Sequence, residues 1–252
     1  MTQSELADFL IAQGIVTALY LDGGGSATYM SKREGESEIA VRNSPSDGSE
    51  RSISSGFVLV ANDEPDGVFD HAVVSPDGEF YTPGAVVNFE LAGVDSAGGA
   101  AELPESGLSM ALIGDSASLG SLEMDGNHAA FTSNGSTGEV NVEAYYNGNP
   151  IGTAQITIVE PDEIYFNSAS ASLDFGEESN LGLVVRANSA DVHYNDNDFT
   201  WTIMNSDGAE DASVGSMNGN TFVAGTGTGT INGTVSVAYT RTDGTVLNAS
   251  IR

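Results

Sequence analysis

Residues 117–122, ASLGSL, recur as ASVGSM at 212–217, and residues 138–146, GEVNVEAYY, recur as GTVSVAYTR at 233–241. Both pairs are offset by the same 95 residues, and PIGTAQITI (150–158) is answered by TVLNASIR (245–252) after a turn. Self-similarity at a fixed spacing means one structural unit built twice. Within the first copy Val140, Val142 and Ala144 alternate with Asn141, Glu143 and Tyr145. That period of two belongs to a half-buried strand, with the first set facing a core. Tyr146-Asn147-Gly148-Asn149-Pro150 stands between two such runs and carries the Asn-Gly signal of a tight hairpin. Short alternating runs between Gly, Asn, Asp and Ser turns, in units of about 90 residues, predict immunoglobulin-like (Ig-like) β-sandwiches. The expected boundaries are 68–160 and 161–252.

The first 62 residues have a different texture. Thr2 and Glu5 fit a capping box, Leu6, Phe9 and Leu10 fall on one helical face, and Gly14 stands where a helix-terminating glycine belongs. Val16 to Leu21 and residues 54–62, SSGFVLVAN, read as buried strands, and Ile39 to Arg42 as a further strand. Asn62-Asp63-Glu64-Pro65-Asp66-Gly67 reads as a boundary, with 63–67 as linker. The expected fold class is therefore mainly β and multidomain: an α+β segment over 1–62, then two Ig-like β-sandwiches.

The chain carries 36 acidic and 7 basic side chains, a formal charge of −29. Such a surface repels phosphate backbones and anionic membranes, so no nucleic-acid partner is expected. No run of 18 apolar residues occurs, so no membrane-spanning segment is expected. Cysteine is absent, which excludes disulfides, thiolate chemistry and Cys-ligated zinc. Four of the seven cations, Lys32, Arg33, Arg42 and Arg51, fall in the first 51 residues.

Those cations follow Leu21-Asp22-Gly23-Gly24-Gly25-Ser26-Ala27-Thr28. Successive glycines let backbone N–H groups converge on an anion, and Ser26 and Thr28 add hydroxyls. Arg42 and Arg51 are candidates for charge-assisted bonds to phosphate, and Asp22 and Asp47 for acid, base or hydroxyl-binding roles. The plainer reading is a tight glycine turn with surface arginines paired to surface acids. Other motifs fail: no lysine follows the glycines as a P-loop requires, and Gly24-Gly25-Ser26-Ala27-Thr28 ends in threonine where a nucleophile elbow needs glycine. His71, His128 and His193 all lie beyond the boundary and read as surface or strand residues.

Two blocks together carry a resemblance: ALYLDGGGSATYM (18–30), and RNSPSDGSERSISSGFVLVA (42–61). In order and spacing they resemble the end of the phosphodiester glycosidase domain family, which includes N-acetylglucosamine-1-phosphodiester α-N-acetylglucosaminidase. The resemblance implies a hydrolase acting on a sugar-1-phosphodiester, outside the cell or at its surface. It implies Asp22 and Asp47 as catalytic candidates, and Gly23, Gly24, Gly25, Ser26, Thr28, Asn43 and Arg51 as substrate-binding ones. No metal at the site and no cofactor are expected. Tyr20 and Ser55-Gly56-Phe57 depart from the family's usual residues. Because the family's domain is longer on its N-terminal side, 1–62 is expected to be its C-terminal part, inactive alone.

A reading of a different class makes the tandem sandwiches the working part, as spacers or as a carbohydrate- or adhesion-binding surface associated with the cell wall. Tyr145, Tyr146 and Tyr194 are the aromatic candidates for sugar, and Trp201 is expected in the core. HYNDNDF (193–199), with Asp196 and Asp198 alternating with asparagines, is the one calcium candidate, but it lacks the spacing of an EF-hand loop, so a solvated polar loop is the favoured expectation there.

Overall fold

The computed structural model describes residues 2–18, 23–36, 38–52, 56–60 and 62–252. Helix α1 spans Gln3–Ala12, and Thr2 caps it reciprocally with Glu5: Thr2 N–H donates to the Glu5 carboxylate at 2.6 Å, and Glu5 N–H to Thr2 Oγ1 at 3.3 Å. It ends at Gly14, φ +78°, where Gly14 N–H donates to Ile11 and Ile15 N–H to Leu10, the paired bonds of a Schellman stop. Strands β1 (Met30–Ser31) and β2 (Ala40–Val41) form a short antiparallel ladder.

Two expected strands of this segment are not formed in their described residues. Residues 15–18 are not in a strand and Val16 is 98% exposed; Leu19 to Asp22 lie outside the described residues. Residues 56–60 are likewise irregular, with Phe57, Val58, Leu59 and Val60 all more than three-quarters exposed. Residues 53–55 and 61 lie outside the described residues. Apolar, β-friendly runs become strands only against a hydrogen-bonding edge and an apolar face. The described residues give these runs neither. Helix α1 is in the same condition, with no buried residue.

Strands β3 (His71–Pro76), β4 (Phe80–Tyr81), β5 (Val86–Val94), β6 (Ala100–Ala101), β7 (Leu108–Ile113), β8 (Gly120–Asp125), β9 (His128–Ser133), β10 (Gly138–Tyr146) and β11 (Asn149–Ile158) form two facing sheets. One is ordered β3-β5-β9-β8 with β6 on β5, the other β4-β11-β10-β7. Val87, Phe89, Leu91 and Phe131 from the first meet Val140, Val142, Ala144, Ile156 and Ile158 from the second in one core. The alternation behaves as read: Val140, Val142 and Ala144 are wholly buried. Asn147 and Gly148, at φ 50° and 80°, make the β10–β11 hairpin turn.

Strands β12 (Glu163–Phe166), β13 (Glu178–Ser179), β14 (Leu183–Ala187), β15 (Ala190–Asp191), β16 (Phe199–Asn205), β17 (Gly215–Asn218), β18 (Thr221–Ala224), β19 (Gly233–Thr240) and β20 (Val246–Ile251) build the second copy. Their sheets are β12-β14-β15, β13-β18-β17 and β16-β19-β20. The repeat holds in three dimensions: Val235, Val237 and Tyr239, each 95 residues after Val140, Val142 and Ala144, are buried on β19. Gly120 of β8 lies under the ring of Phe131, and Gly215 of β17 lies under that of Phe222. The second core is split into two clusters, and Phe166 and Trp201 pack against both. One end opens into a cleft of about 590 Å³ lined by Leu173, Leu181, Phe222 and Ile251 among others. The molecule is mainly β, with Ig-like sandwich architecture.

Asp95, in the loop after β5, is buried and accepts N–H bonds from Gly67 (3.0 Å), Ala97 (3.0 Å) and Gly99 (2.7 Å). These donors, Gly67 first, hold its carboxyl below the ordinary range and tie the linker to the sandwich. A carboxyl depressed on folding stabilises fully above its unfolded pKa, about 4, and that stabilisation is lost as pH falls through the folded value. The difference in thermal midpoint between wild type and Asp95→Asn is therefore expected to be largest above pH ~4 and to shrink below it. A difference independent of pH would contradict this assignment.

Candidate functional site

Asp22, the first catalytic candidate, lies outside the described residues, so the glycine loop is followed from Gly23. Gly23 is extended, Gly24 has φ +60°, and Gly24–Ser26 form a single 3₁₀ turn. Ser26 N–H donates to Gly23 at 3.3 Å and Ala27 N–H to Gly24 at 3.1 Å. A positive φ makes Gly24 the residue for its place. Gly25 is needed for a different reason. It is buried, and a Cβ there would lie 2.2 Å from Asp47 Oδ2. The carboxylate rests directly on the loop backbone.

Asp47 reaches that position through a β-turn. Gly48 N–H donates to Pro45 at 2.9 Å, and Gly48 itself has φ +80°. Pro-Ser-Asp-Gly is a turn-forming sequence, and the turn puts Ser46 and Asp47 at its tip. A Cβ on Gly24 would lie 3.7 Å from Ser46 Oγ, so the tip as a whole faces the glycine loop. Arg51 Nε donates to Asp47 Oδ2 at 2.5 Å while its side chain stays 57% exposed. A pair this exposed contributes little to stability, about 0–1 kcal/mol. Its consequence is geometric: the guanidinium is aimed from a carboxylate that is itself seated on the loop.

Asn43 works from the other side. Its Oδ1 accepts from Tyr29 N–H at 2.6 Å and its Nδ2 donates to Ala27 O at 2.7 Å, so it clamps the exit of the loop. The structure thus brings Gly24, Gly25, Ser26, Asn43, Asp47 and Arg51 to one place. Thr28 is half-buried, and among the described residues no hydrogen bond joins it to Asp47 or Arg51. Arg42 is corrected as a phosphate candidate. Its guanidinium donates to Ser31 Oγ, Ser31 O and the Glu36 carboxylate, with only 14% of the side chain exposed. Glu36 in turn has its carboxyl held down, first by Arg33 N–H and then by Arg42. Ser46 was not among the expected residues. Its signal was its place beside Asp47 at the tip of the Pro-Ser-Asp-Gly turn.

The aromatic candidates do not form an exposed platform. Tyr145, Tyr146, Tyr194 and Trp201 are all half-buried. Tyr145 donates to Glu143, Tyr146 meets Phe69 edge-on at 5.8 Å, and Tyr194 meets Phe199 edge-on at 5.0 Å. In HYNDNDF the Asp198 carboxylate accepts from Thr82 Oγ1 at 2.5 Å and from Asn195 N–H at 2.8 Å. Among the described residues no group of three or more His, Asp or Glu is placed to hold a metal. His71 stands between Asp70 (3.0 Å) and Glu34 (3.6 Å), His128 pairs across β8–β9 with Asp125, and His193 lies between the two sandwiches. Among the described residues no helix is long and apolar enough to cross a membrane.

Residues 1–60 match the family model of phosphodiester glycosidases. No curated protein matches the chain. Among solved structures, the Escherichia coli adhesin FdeC is similar at 19% identity and a TM-score of 0.30, over 74% of this chain and 66% of that one. The Yersinia pseudotuberculosis adhesin InvE is similar at 15% and 0.27, over 71% of this chain and 57% of that one. Domains 5–6 of the S-layer protein SbsC are similar at 13% and 0.32, over 75% and 98%. The chain thus spans less than two thirds of either adhesin structure.

Proposed function

We propose that residues 1–62 carry part of a site that hydrolyses a sugar-1-phosphodiester, borne on tandem Ig-like β-sandwiches at or outside the cell surface. The observation that carries this reading is the stack of the Arg51 guanidinium on the Asp47 carboxylate and of that carboxylate on Gly25. It joins two sequence blocks within the segment matched by the phosphodiester glycosidase model. In the reaction water adds across the bond between sugar C1 and the phosphate oxygen. Hydroxide goes to the sugar and the proton to the departing phosphomonoester. Arg51 binds the phosphate through charge-assisted hydrogen bonds, Gly23, Gly24 and Ser26 allow close approach of substrate to backbone, and Gly25 seats the Asp47 carboxylate. Asp47 orients Arg51 and accepts a sugar hydroxyl or the proton of the attacking water, a role shared with Asp22. Asn43 and Thr28 hold or line the loop exit.

The site in these residues is a part. No side chain of α1 is buried and the apolar side chains of residues 56–60 face solvent, and a catalytic constellation needs its groups held against one another. The test is hydrolysis of a GlcNAc-1-phosphodiester by this chain and by the chain extended upstream in its own reading frame. Turnover is expected only in the extended form, and Arg51→Ala and Asp47→Asn are each expected to lower it about 100-fold or more. Full activity in both variants, or none in the extended wild type, would overturn the reading.

A further inference from the structure

Strand β4 is only two residues long, yet it is hydrogen-bonded on both edges and to different sandwiches. On one edge it pairs in parallel with β11 of its own sandwich: Thr157 N–H donates to Glu79 at 2.9 Å and Val159 N–H to Tyr81 at 2.8 Å. On the other edge Tyr81 bridges His193 of the second sandwich. Thr82 N–H donates to His193 O at 2.9 Å, and His193 N–H donates to Phe80 O at 2.8 Å. The preceding residue, Val192, donates to Val185 of β14 at 2.9 Å. A backbone ladder therefore runs from β7 through β10, β11 and β4 into the sheet of the second copy.

Side chains reinforce it at each level. Tyr81 is buried in the first core while its neighbour Phe80 packs against the second. Thr82 is fully buried, and its hydroxyl donates to Asp198. Asn195 Nδ2 reaches back to Gly84 O at 3.3 Å. The His193 ring lies 5.1 Å from that of Tyr81 and directly over Gly78, where a Cβ would meet it at 2.4 Å. The connection itself, residues 159–162, is tied down separately. Glu160 accepts from Tyr239 Oη at 3.2 Å and Thr242 N–H at 3.1 Å, and Asp162 N–H donates to Arg186 at 2.9 Å.

We infer that the two sandwiches form one rigid body, with β4 as a strand shared between them and Gly78–His193 as the latch. A connection between independent domains is ordinarily free to hinge. Here bending at 159–162 would break the backbone bonds on one edge of β4 and expose Phe80 and Thr82. The pair then acts as a spacer of fixed length and orientation, whatever the chemistry of residues 1–62.

The chain has no cysteine of its own, so spin labels can be placed at Ser121→Cys on β8 and Ser250→Cys on β20, both exposed. Pulsed electron–electron distance measurement on the full chain is expected to give one narrow distribution. Gly78→Leu, which drives the His193 ring off its seat, is expected to broaden that distribution at least twofold while amide protection on β10 and β19 persists. If Gly78→Leu unfolds a sandwich, His193→Pro, which deletes the N–H to Phe80, takes its place with the same expectation. A broad or multiple distribution in the labelled parent with Gly78 and His193 intact, or an unchanged width in a folded latch variant, would overturn the inference.

Discussion

Phe131→Ala is expected to lower the unfolding free energy of the first sandwich by about 3–5 kcal/mol. Phe131 is wholly buried on β9, and its ring covers Gly120, whose missing side chain leaves nothing nearby to fall into the hole. The loss is thus the transfer of the ring plus most of the cavity it leaves. Phe222→Ala removes the equivalent ring over Gly215, but Phe222 lines the open cleft of the second copy. Part of its surface already lacks neighbours, so the expected loss is smaller, about 2–3 kcal/mol. Trp201, the only tryptophan of the chain, lies in the second copy and reports its unfolding by fluorescence. Amide exchange on β10 reports the first. Equal losses, or the reverse order, would show that the two repeats are not packed as described.

Gly25→Val is expected to lower kcat/KM for sugar-phosphodiester hydrolysis in the upstream-extended chain by about 100-fold or more. The substitution places a branched side chain where the Asp47 carboxylate sits. The carboxylate must leave, and the Arg51 guanidinium loses the partner that aims it. Displacement of reacting groups by about an ångström has costs of this order. The fold should be unaffected, since neither sandwich core touches Gly25, and the unfolding midpoints of Gly25→Val and the parent chain at Trp201 should coincide. Retained activity with Gly25→Val would separate Asp47 from the chemistry.

The repeats were legible because their signals are local and redundant. Alternation along β10, the Asn147-Gly148 turn and the 95-residue offset each imply the same hairpin, and it forms. Helix α1 was legible from its caps, which are self-contained. In the runs at 16–21 and 54–62, the described residues 16–18 and 56–60 are not in strands, because a strand is a property of a pair. Their composition is that of a buried strand, but burial needs a partner edge that composition does not report. Within the candidate site, the approach of the two blocks was visible only as their joint occurrence. That a carboxylate occupies the space over Gly25 depends on the fold of the Pro45–Gly48 turn. Arg42 and Arg51 are indistinguishable in sequence. They part because Ser31 and Glu36 lie beside one, and Asp47 beside the other. The shared strand β4 left no trace, since two residues carry no period.

The most direct test of the central claim, that the glycine loop and the Asp47–Arg51 turn form one sugar-phosphate site, is a ¹H–¹⁵N titration of this chain with GlcNAc-1-phosphate. The account predicts saturable shifts confined to Gly23, Gly24, Gly25 and Ser26, the Ser46–Asp47 tip and the Arg51 side chain, and their loss in Arg51→Ala. Shifts that spare both blocks, or that persist unchanged in Arg51→Ala, would contradict it.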